Sequence, residues 1–242
     1  IKLDTGMHRL GFQENQLEEL LDLLRNNNLV SVKSIFSHLS SSDVPDYTDF
    51  TLRQIDKFEG WSALIMRELE IDPIRHILNT SGIYNYPQAQ YDMVRLGIGL
   101  YGVGNDKTEQ FSLETVGTLK TVILQIKNIE AGESIGYSRR FTAPANMRTA
   151  TLPVGYADGI PRAWGNEKGY VSINGKKAII IGTISMDMMM VDVTDIYCKE
   201  GDRAVIFGAS PSVTEIADAL GTIPYEILTS ISQRVKRIFY KE

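Results

Sequence analysis

The sequence predicts an α/β layer followed by a β-rich domain, and three observations predict it. Residues 1 to about 105 alternate short apolar runs with amphipathic helical stretches, the pattern of βα units around a parallel sheet. After Gly104 that alternation stops, and from Leu113 onward closely spaced β-rich runs take over. Between the two regimes, Asn105 to Gln110 is polar and reads as a linker, which places one domain at 1–105 and a second at 106–242.

The elements follow from local pattern. Leu17, Leu20, Leu21 and Leu24 recur at i, i+3, i+4 and i+7, so they form the apolar stripe of a helix that ends near Asn26-Asn27-Asn28. Ser31 to His38 reads as a strand, followed by the polar loop Leu39 to Asp46. A second helix spans Thr48 to about Leu69 and points Leu52, Ile55 and Phe58 inward. His76 to Ser81 reads as a third strand with its exit, and Met93 to Gly99 as a fourth. In the second domain the β runs are Thr118 to Lys127, Arg148 to Val154, Val171 to Gly182, Met188 to Val193 and Asp202 to Phe207. Asn174-Gly175 is a two-residue hairpin signal, because both residues tolerate positive φ. Near the end, Thr214 is placed to cap a helix over Glu215 to Leu220 with Gly221 as its stop, and Pro224 opens another that runs to about Val235.

Composition narrows the function classes. With 242 residues and 43% hydrophobic content, the chain can bury a real core. A net charge of −5 gives no broad electropositive field, so neither nucleic acid nor an anionic membrane is expected as a partner. No apolar run approaches the ~20 residues of a membrane span. The single cysteine, Cys198, allows no internal disulfide and no zinc cluster, which fits a reducing, cytoplasmic setting with no metal. The chain opens at Ile1 inside the strand-like stretch Ile1-Lys2-Leu3-Asp4, so further sequence is expected upstream.

Polar residues cluster where strands should end. Arg9, His38, Asn79, Thr80 and Arg95 fall at the four candidate exits, and in a parallel αβ barrel such residues converge on one site. Together they make a cationic, hydrogen-bonding pocket suited to a phosphorylated anion. Gly97-Ile98-Gly99-Leu100-Tyr101-Gly102 matches G-x-G-x-x-G, but Gly104-Asn105-Asp106 breaks the chain where a dinucleotide site needs a long helix. A simpler use is a glycine turn that brings backbone N–H groups to a phosphate. In the second domain Gly155-Tyr156-Ala157-Asp158-Gly159 reads as a turn, and Met186 to Met190, broken by Asp187, as a buried strand.

Taken in order, several segments resemble the alanine racemase family. They are Lys2-Leu3-Asp4-Thr5-Gly6-Met7-His8-Arg9-Leu10-Gly11, His76-Ile77-Leu78-Asn79-Thr80-Ser81 and Val94-Arg95-Leu96-Gly97-Ile98-Gly99-Leu100-Tyr101-Gly102. The series continues with Gly136-Tyr137, Gly155 to Gly159, Ser185-Met186-Asp187 and Tyr225-Glu226-Ile227. The resemblance implies half of a TIM-like (β/α)8 barrel followed by a C-terminal β domain, a homodimer, and pyridoxal 5′-phosphate (PLP) as cofactor. It implies conversion between L-alanine and D-alanine for peptidoglycan. It also implies roles: Tyr137 as the base on the L-alanine side, reaching the partner subunit's barrel, and Arg95 as the donor to the pyridine nitrogen. His38 matches the imidazole stacked on that ring, and His76 the residue that orients Arg95. Thr80, Gly97 and Tyr225 match the phosphate-binding set, with Asn79 beside it. Arg9 matches the arginine near the cofactor oxygen and the substrate carboxylate, Met186 a substrate-binding backbone group, and Tyr156 an entrance residue. Lys2 stands where the family often carries a carbamylated lysine.

Three departures accompany it. His8 and Thr80 stand where the family commonly has Gly and Ser. None of the 12 lysines lies in surroundings like Val-Lys-Ala-Asn-Ala-Tyr-Gly-His-Gly, the motif of the lysine that attaches the cofactor. The expectation is therefore a C-terminal portion of a racemase, inactive alone. The rivals are a non-catalytic binding or assembly domain of a larger polypeptide, or a related PLP racemase or decarboxylase. Arg95 argues against a decarboxylase, because a guanidinium that only donates leaves the ring nitrogen unprotonated and weakens the electron sink.

Overall fold

The computed structural model describes residues 1–27, 29–104, 110 and 112–240. They form two compact units, Ile1–Glu114 and Thr115–Glu242. The expected linker falls, apart from Gln110, outside the described residues.

The first unit is a partial parallel barrel wall backed by helices. Strand β1 (Ser34–Phe36) pairs in parallel with β2 (Ile74–His76). On its other side β1 meets the Lys2-Leu3 segment through the bonds Leu3 N to Phe36 O and Phe36 N to Ile1 O. Helices α1 (Leu17–Arg25) and α2 (Thr48–Leu69) cover the outer face, where Leu17, Leu20, Leu21, Ile55, Phe58 and Ile65 bury against Leu3 and Ile35. Each large apolar side chain fully buried there contributes about 1.5–3 kcal/mol.

Both helices occupy the spans their periodicity predicts, but the inward stripe of α2 differs. Leu52 is 38% exposed. The buried line runs through Thr51, Gln54, Ile55, Phe58, Ser62 and Ile65, about one helical position away, because α2 uses polar side chains to bind the loop above it. Thr51 Oγ1 donates to Ser41 O, and Gln54 Nε2 to His38 O. The strand read at His76–Ser81 also shifts: β2 ends at His76, and Thr80 starts the short helix α3 (Thr80–Asn85). Asn79 Oδ1 accepts Gly82 N–H at 3.0 Å, and that N-cap pulls the following residues out of the sheet. Met93–Gly99 is not a strand. Asp92 N bonds to Arg75 O just before it and Arg95 N to Leu78 O within it, and the chain then turns into 3-10 helix at Ile98.

In the second unit, seven strands form one antiparallel sheet among the described residues: β3 (Leu119–Val122), β4 (Gln125–Ile129), β7 (Met147–Leu152), β8 (Tyr170–Ile173), β9 (Lys176–Ile181), β10 (Met189–Asp192) and β11 (Arg203–Phe207). Their order is β3-β11-β8-β9-β10-β7-β4. The run read as one stretch, Thr118–Lys127, thus supplies both ends of the sheet. Ile123 N bonds to Asp202 O and Leu124 N to Thr151 O, so the chain crosses from one end of the sheet order to the other within two residues. The β8–β9 hairpin turns on Asn174 and Gly175 at φ 51° and 77°, as the two-residue signal requires. Separately, β5 (Ser134–Ile135) pairs with β6 (Phe141–Thr142).

Two late elements differ from the sequence reading. Helix α4 (Val213–Leu220) is capped by Ser212, not Thr214, in a reciprocal box with Glu215, and Gly221 closes it in the left-handed region. Helix α5 (Pro224–Ser230) ends well before Val235. There Ser230 Oγ donates to Gly159 O and Ser232 N–H to Asp158 O, so the chain is tied to a distant turn instead of to its own helix. Among the described residues no helix is long and apolar enough to cross a membrane.

Candidate active site

The first unit gathers its polar groups at the C-terminal ends of the parallel strands. Arg95 is half-buried and contacts both predicted histidines. Its Nη1 donates to His76 Nδ1 and to His76 O (3.2 Å). Its Nη2 donates to Ser37 O (2.6 Å) and Ile77 O (3.1 Å), with His38 Nδ1 at 3.4 Å. Three carbonyls around one guanidinium favour the cation, although burial pulls the pKa of Arg95 below its usual value. Because Arg95 can only donate, both imidazoles present Nδ1 as acceptor and carry their proton on Nε2.

Burial and nearby cations keep these imidazoles neutral. The pKa of His38 is lowered first by burial, then by Arg95, Arg9 and Lys2, and that of His76 by burial and Arg95. Both folded values lie below the ~6.5 of an unfolded histidine, so the unfolded chain binds more protons in acid. Their contribution to stability is present above about pH 6.5 and is lost as pH falls through the folded values. Urea midpoints measured from about pH 8 to about pH 5 should fall on acidification, and less steeply in His38→Gln/His76→Gln.

Thr80 organises the glycine turn. Its Oγ1 accepts Gly97 N–H at 2.9 Å and Gly99 N–H at 3.3 Å. With both lone pairs taken, the hydroxyl has its proton left to give. The fit is close, since a Cβ on Gly99 would stand 2.8 Å from Thr80 Cγ2. Asn79 has its Oδ1 occupied by Gly82 N–H and by Ser42 Oγ (2.7 Å), which leaves its amide NH2 as donor. Arg9 is exposed next to His8, whose backbone sits at φ 54° and whose Nδ1 is 3.2 Å from Asp4 Oδ2. Burial raises the Asp4 pKa, but the His8 and Gly6 N–H groups, the His8 charge and the Gln13 side chain outweigh it, so the net shift is downward.

The second unit holds the remaining predicted residues. Tyr137 is 68% exposed on a sharp turn between β5 and β6. Gly136, Ser138 and Arg139 all have positive φ (77°, 60° and 51°), and Arg139 Nε donates to Ser134 Oγ at 3.0 Å across the turn. Left-handed backbone costs a side-chain-bearing residue about 1–2 kcal/mol, so Ser138→Gly should raise unfolding stability by about 0.5–1 kcal/mol after the extra chain entropy of glycine is counted. A urea midpoint unchanged or lowered by that substitution would show the turn to be unstrained. Tyr156 and Met186 lie side by side, with Tyr156 N–H bonded to Ser185 O and Ala157 N–H to Met186 O. The group Met186 has left to present is its N–H. Tyr225 stands exposed in the first turn of α5.

Sequence reasoning passed over two residues. Asp158 is buried, accepts Gly155 N–H at 3.0 Å, and lies 3.7 Å from Arg234 Nε, so it fastens the Tyr156 turn. Its position in a glycine-bracketed turn reads only as turn chemistry. Phe36 was the other, although it closes β1 two residues before His38 and stands in register with His76 on β2.

Comparison with known proteins agrees with this architecture. Residues 1–105 match the family model "Alanine racemase, N-terminal domain", and 116–239 match "Alanine racemase, C-terminal domain". The alanine racemase of Shewanella denitrificans is 38% identical over 240 residues, covering 97% of this chain and 64% of the relative. "Alanine racemase 1" of Clostridium acetobutylicum is 38% identical over 252 residues, covering 100% and 64%. The chain thus spans under two thirds of these relatives' length. Among solved structures, the alanine racemase of D-cycloserine-producing Streptomyces lavendulae superposes with a TM-score of 0.93 at 31% identity, covering 100% of this chain and 66% of that one. That of Bartonella henselae, solved with covalently bound pyridoxal phosphate, gives 0.84 at 33% identity, covering 99% and 66%. Barrel wall, β domain and both family models concur: the chain belongs to the alanine racemase family.

Proposed function

We propose that this chain is a portion of a PLP-dependent alanine racemase, a cytoplasmic homodimer that interconverts L- and D-alanine for peptidoglycan synthesis. The observation that carries the reading is the pairing of a carbonyl-braced cation, Arg95, with a threonine hydroxyl seated on two glycine N–H groups. One suits a heterocyclic acceptor, the other a phosphate. When bound, PLP acidifies the α-hydrogen of the amino acid it carries.

Each residue then has a defined task. Thr80 gives its hydroxyl proton to a phosphate oxygen beside the Gly97–Gly99 backbone, and the family resemblance assigns a phosphate contact to Tyr225 as well. Nη2 of Arg95 has two hydrogens and three acceptors, so its longest contact, to His38 at 3.4 Å, is the one it can exchange for a ring nitrogen. His76 holds Arg95 in place, and neutral His38 offers its ring face. The family resemblance assigns the substrate carboxylate to Arg9 and to the Met186 backbone, and the entrance to Tyr156. Tyr137 enters as the phenolate, takes the α-proton of L-alanine on its oxygen to become the phenol, and gives that proton back in the reverse direction. Exchange on the opposite face needs a second base. The family resemblance assigns that base to the cofactor-attaching lysine, whose motif none of these 12 lysines shows. This chain alone therefore does not turn over. The test is to incubate the gene product that contains it with PLP and L-alanine. An equal mixture of the two enantiomers is expected, whereas carbon dioxide release or no change would reject the assignment.

A further inference from the structure

We propose that Phe36 is a positioning residue: its ring fixes the plane of the His76 imidazole, and through it the hold of Nδ1 on Arg95 and the direction in which Arg95 presents its guanidinium. The inference rests on the reading of Arg95 as the cation that meets the cofactor ring, and goes beyond it by naming what aims that cation.

Three contacts converge on one aromatic ring. The His76 imidazole stacks on it with centroids 5.1 Å apart and planes 10° from parallel. Arg95 Cζ lies 5.4 Å from the same centroid, and Lys2 Nζ 5.8 Å. Both cations are within the ~6 Å over which a ring quadrupole attracts positive charge. Phe36 and His76 are register partners on β1 and β2, so the sheet itself sets them side by side.

A histidine ring is free to rotate about its χ2 torsion, a broad, two-fold one, and a flip would exchange the nitrogen that faces Arg95. Stacking against Phe36 confines the ring plane, while Arg95 donating to Nδ1 selects the flip and places the proton on Nε2. The two restraints are complementary, because the hydrogen bond alone leaves the plane free to tilt and the stack alone leaves both flips open. Burial and then the neighbouring Arg95 lower the pKa of His76, so the imidazole that stacks on Phe36 is the neutral one. Phe36 has no hydroxyl or amide, so its influence is confined to shape and quadrupole.

The test is nitrogen NMR of imidazole-labelled gene product without cofactor, with the His76 signal assigned by its loss in His76→Gln. Working without cofactor keeps the outcome separate from whether Arg95 serves PLP at all. The wild type and Phe36→Tyr should show one tautomer protonated at Nε2. Phe36→Leu should shift the tautomer ratio by about 2- to 30-fold, the range expected when cation–π contacts are lost. Phe36→Met keeps side-chain volume without a ring and should behave like Phe36→Leu, which covers the case of a leucine variant that does not fold. A single Nε2–H tautomer in Phe36→Met, at the wild-type proportion, would overturn the proposal.

Discussion

In the gene product that contains this chain, Tyr137→Phe is expected to lower alanine racemisation by about 10²- to 10⁴-fold, the range set by loss of a positioned proton-transfer group. The change removes one oxygen and leaves the turn intact. Tyr137 is largely exposed, and the positive-φ residues that shape its loop, Gly136, Ser138 and Arg139, are untouched. Packing and cofactor content should therefore stay at wild-type values. The deficit should appear in kcat, since in the proposed role the Tyr137 oxygen acts on the proton in transfer and not on the bound substrate. Steady-state turnover in both directions, read beside cofactor absorbance, separates the alternatives. Loss of activity together with cofactor would assign Tyr137 to binding, and full activity would remove it from the mechanism.

Gly155→Ala should destabilise the second unit by about 3 kcal/mol or more. The reason is space, since Gly155 has ordinary extended backbone angles. A Cβ there would meet Ser185 O at 2.3 Å, Met186 O at 2.5 Å and Asp187 N at 2.6 Å, all of them main-chain atoms. Relief requires the 185–187 segment to retreat. Retreat breaks the bonds from Tyr156 N–H to Ser185 O and from Ala157 N–H to Met186 O, each worth about 1 kcal/mol. Those bonds place Met186 beside Tyr156, so any folded fraction should also show a raised KM for alanine. A urea midpoint within error of wild type would mean that the two segments can separate freely.

Much of the fold was legible because local signals and tertiary demands agreed. The leucine stripe of α1 and the Asn174-Gly175 turn each have one low-energy solution, and the structure adopts it. Agreement failed where a distant partner intervened. Helix α5 stops at Ser230 because the Gly155–Gly159 turn takes its next hydrogen bonds, and nothing near Val235 announces that. Leu52 gives way to Thr51 because α2 must bind a polar loop, a demand invisible to hydrophobic periodicity. The Ser212 cap was written in the sequence as Ser-x-x-Glu, and the neighbouring Thr214 offered a competing signal.

The site divides along the same line. Arginine and histidine at strand ends stand out by type, so Arg95, His38 and His76 could be picked from the sequence. What holds them could not. Ser37 contributes a carbonyl, Phe36 a ring face and Gln54 an amide to the His38 carbonyl, and each of these residue types is common in any core or loop. Asn79 shows the ambiguity from the other side, since a polar residue between a strand and a helix suits a ligand contact and an N-cap equally well.

The central claim is that Arg95 and Thr80 are built to receive the ring nitrogen and the phosphate of one cofactor. It is tested most directly by the PLP content of the intact gene product, purified from its own cells and again after removal and re-addition of the cofactor. The account predicts one PLP per chain, restored on re-addition in the wild type and weakened in Thr80→Val. A protein that carries none and takes up none would contradict it.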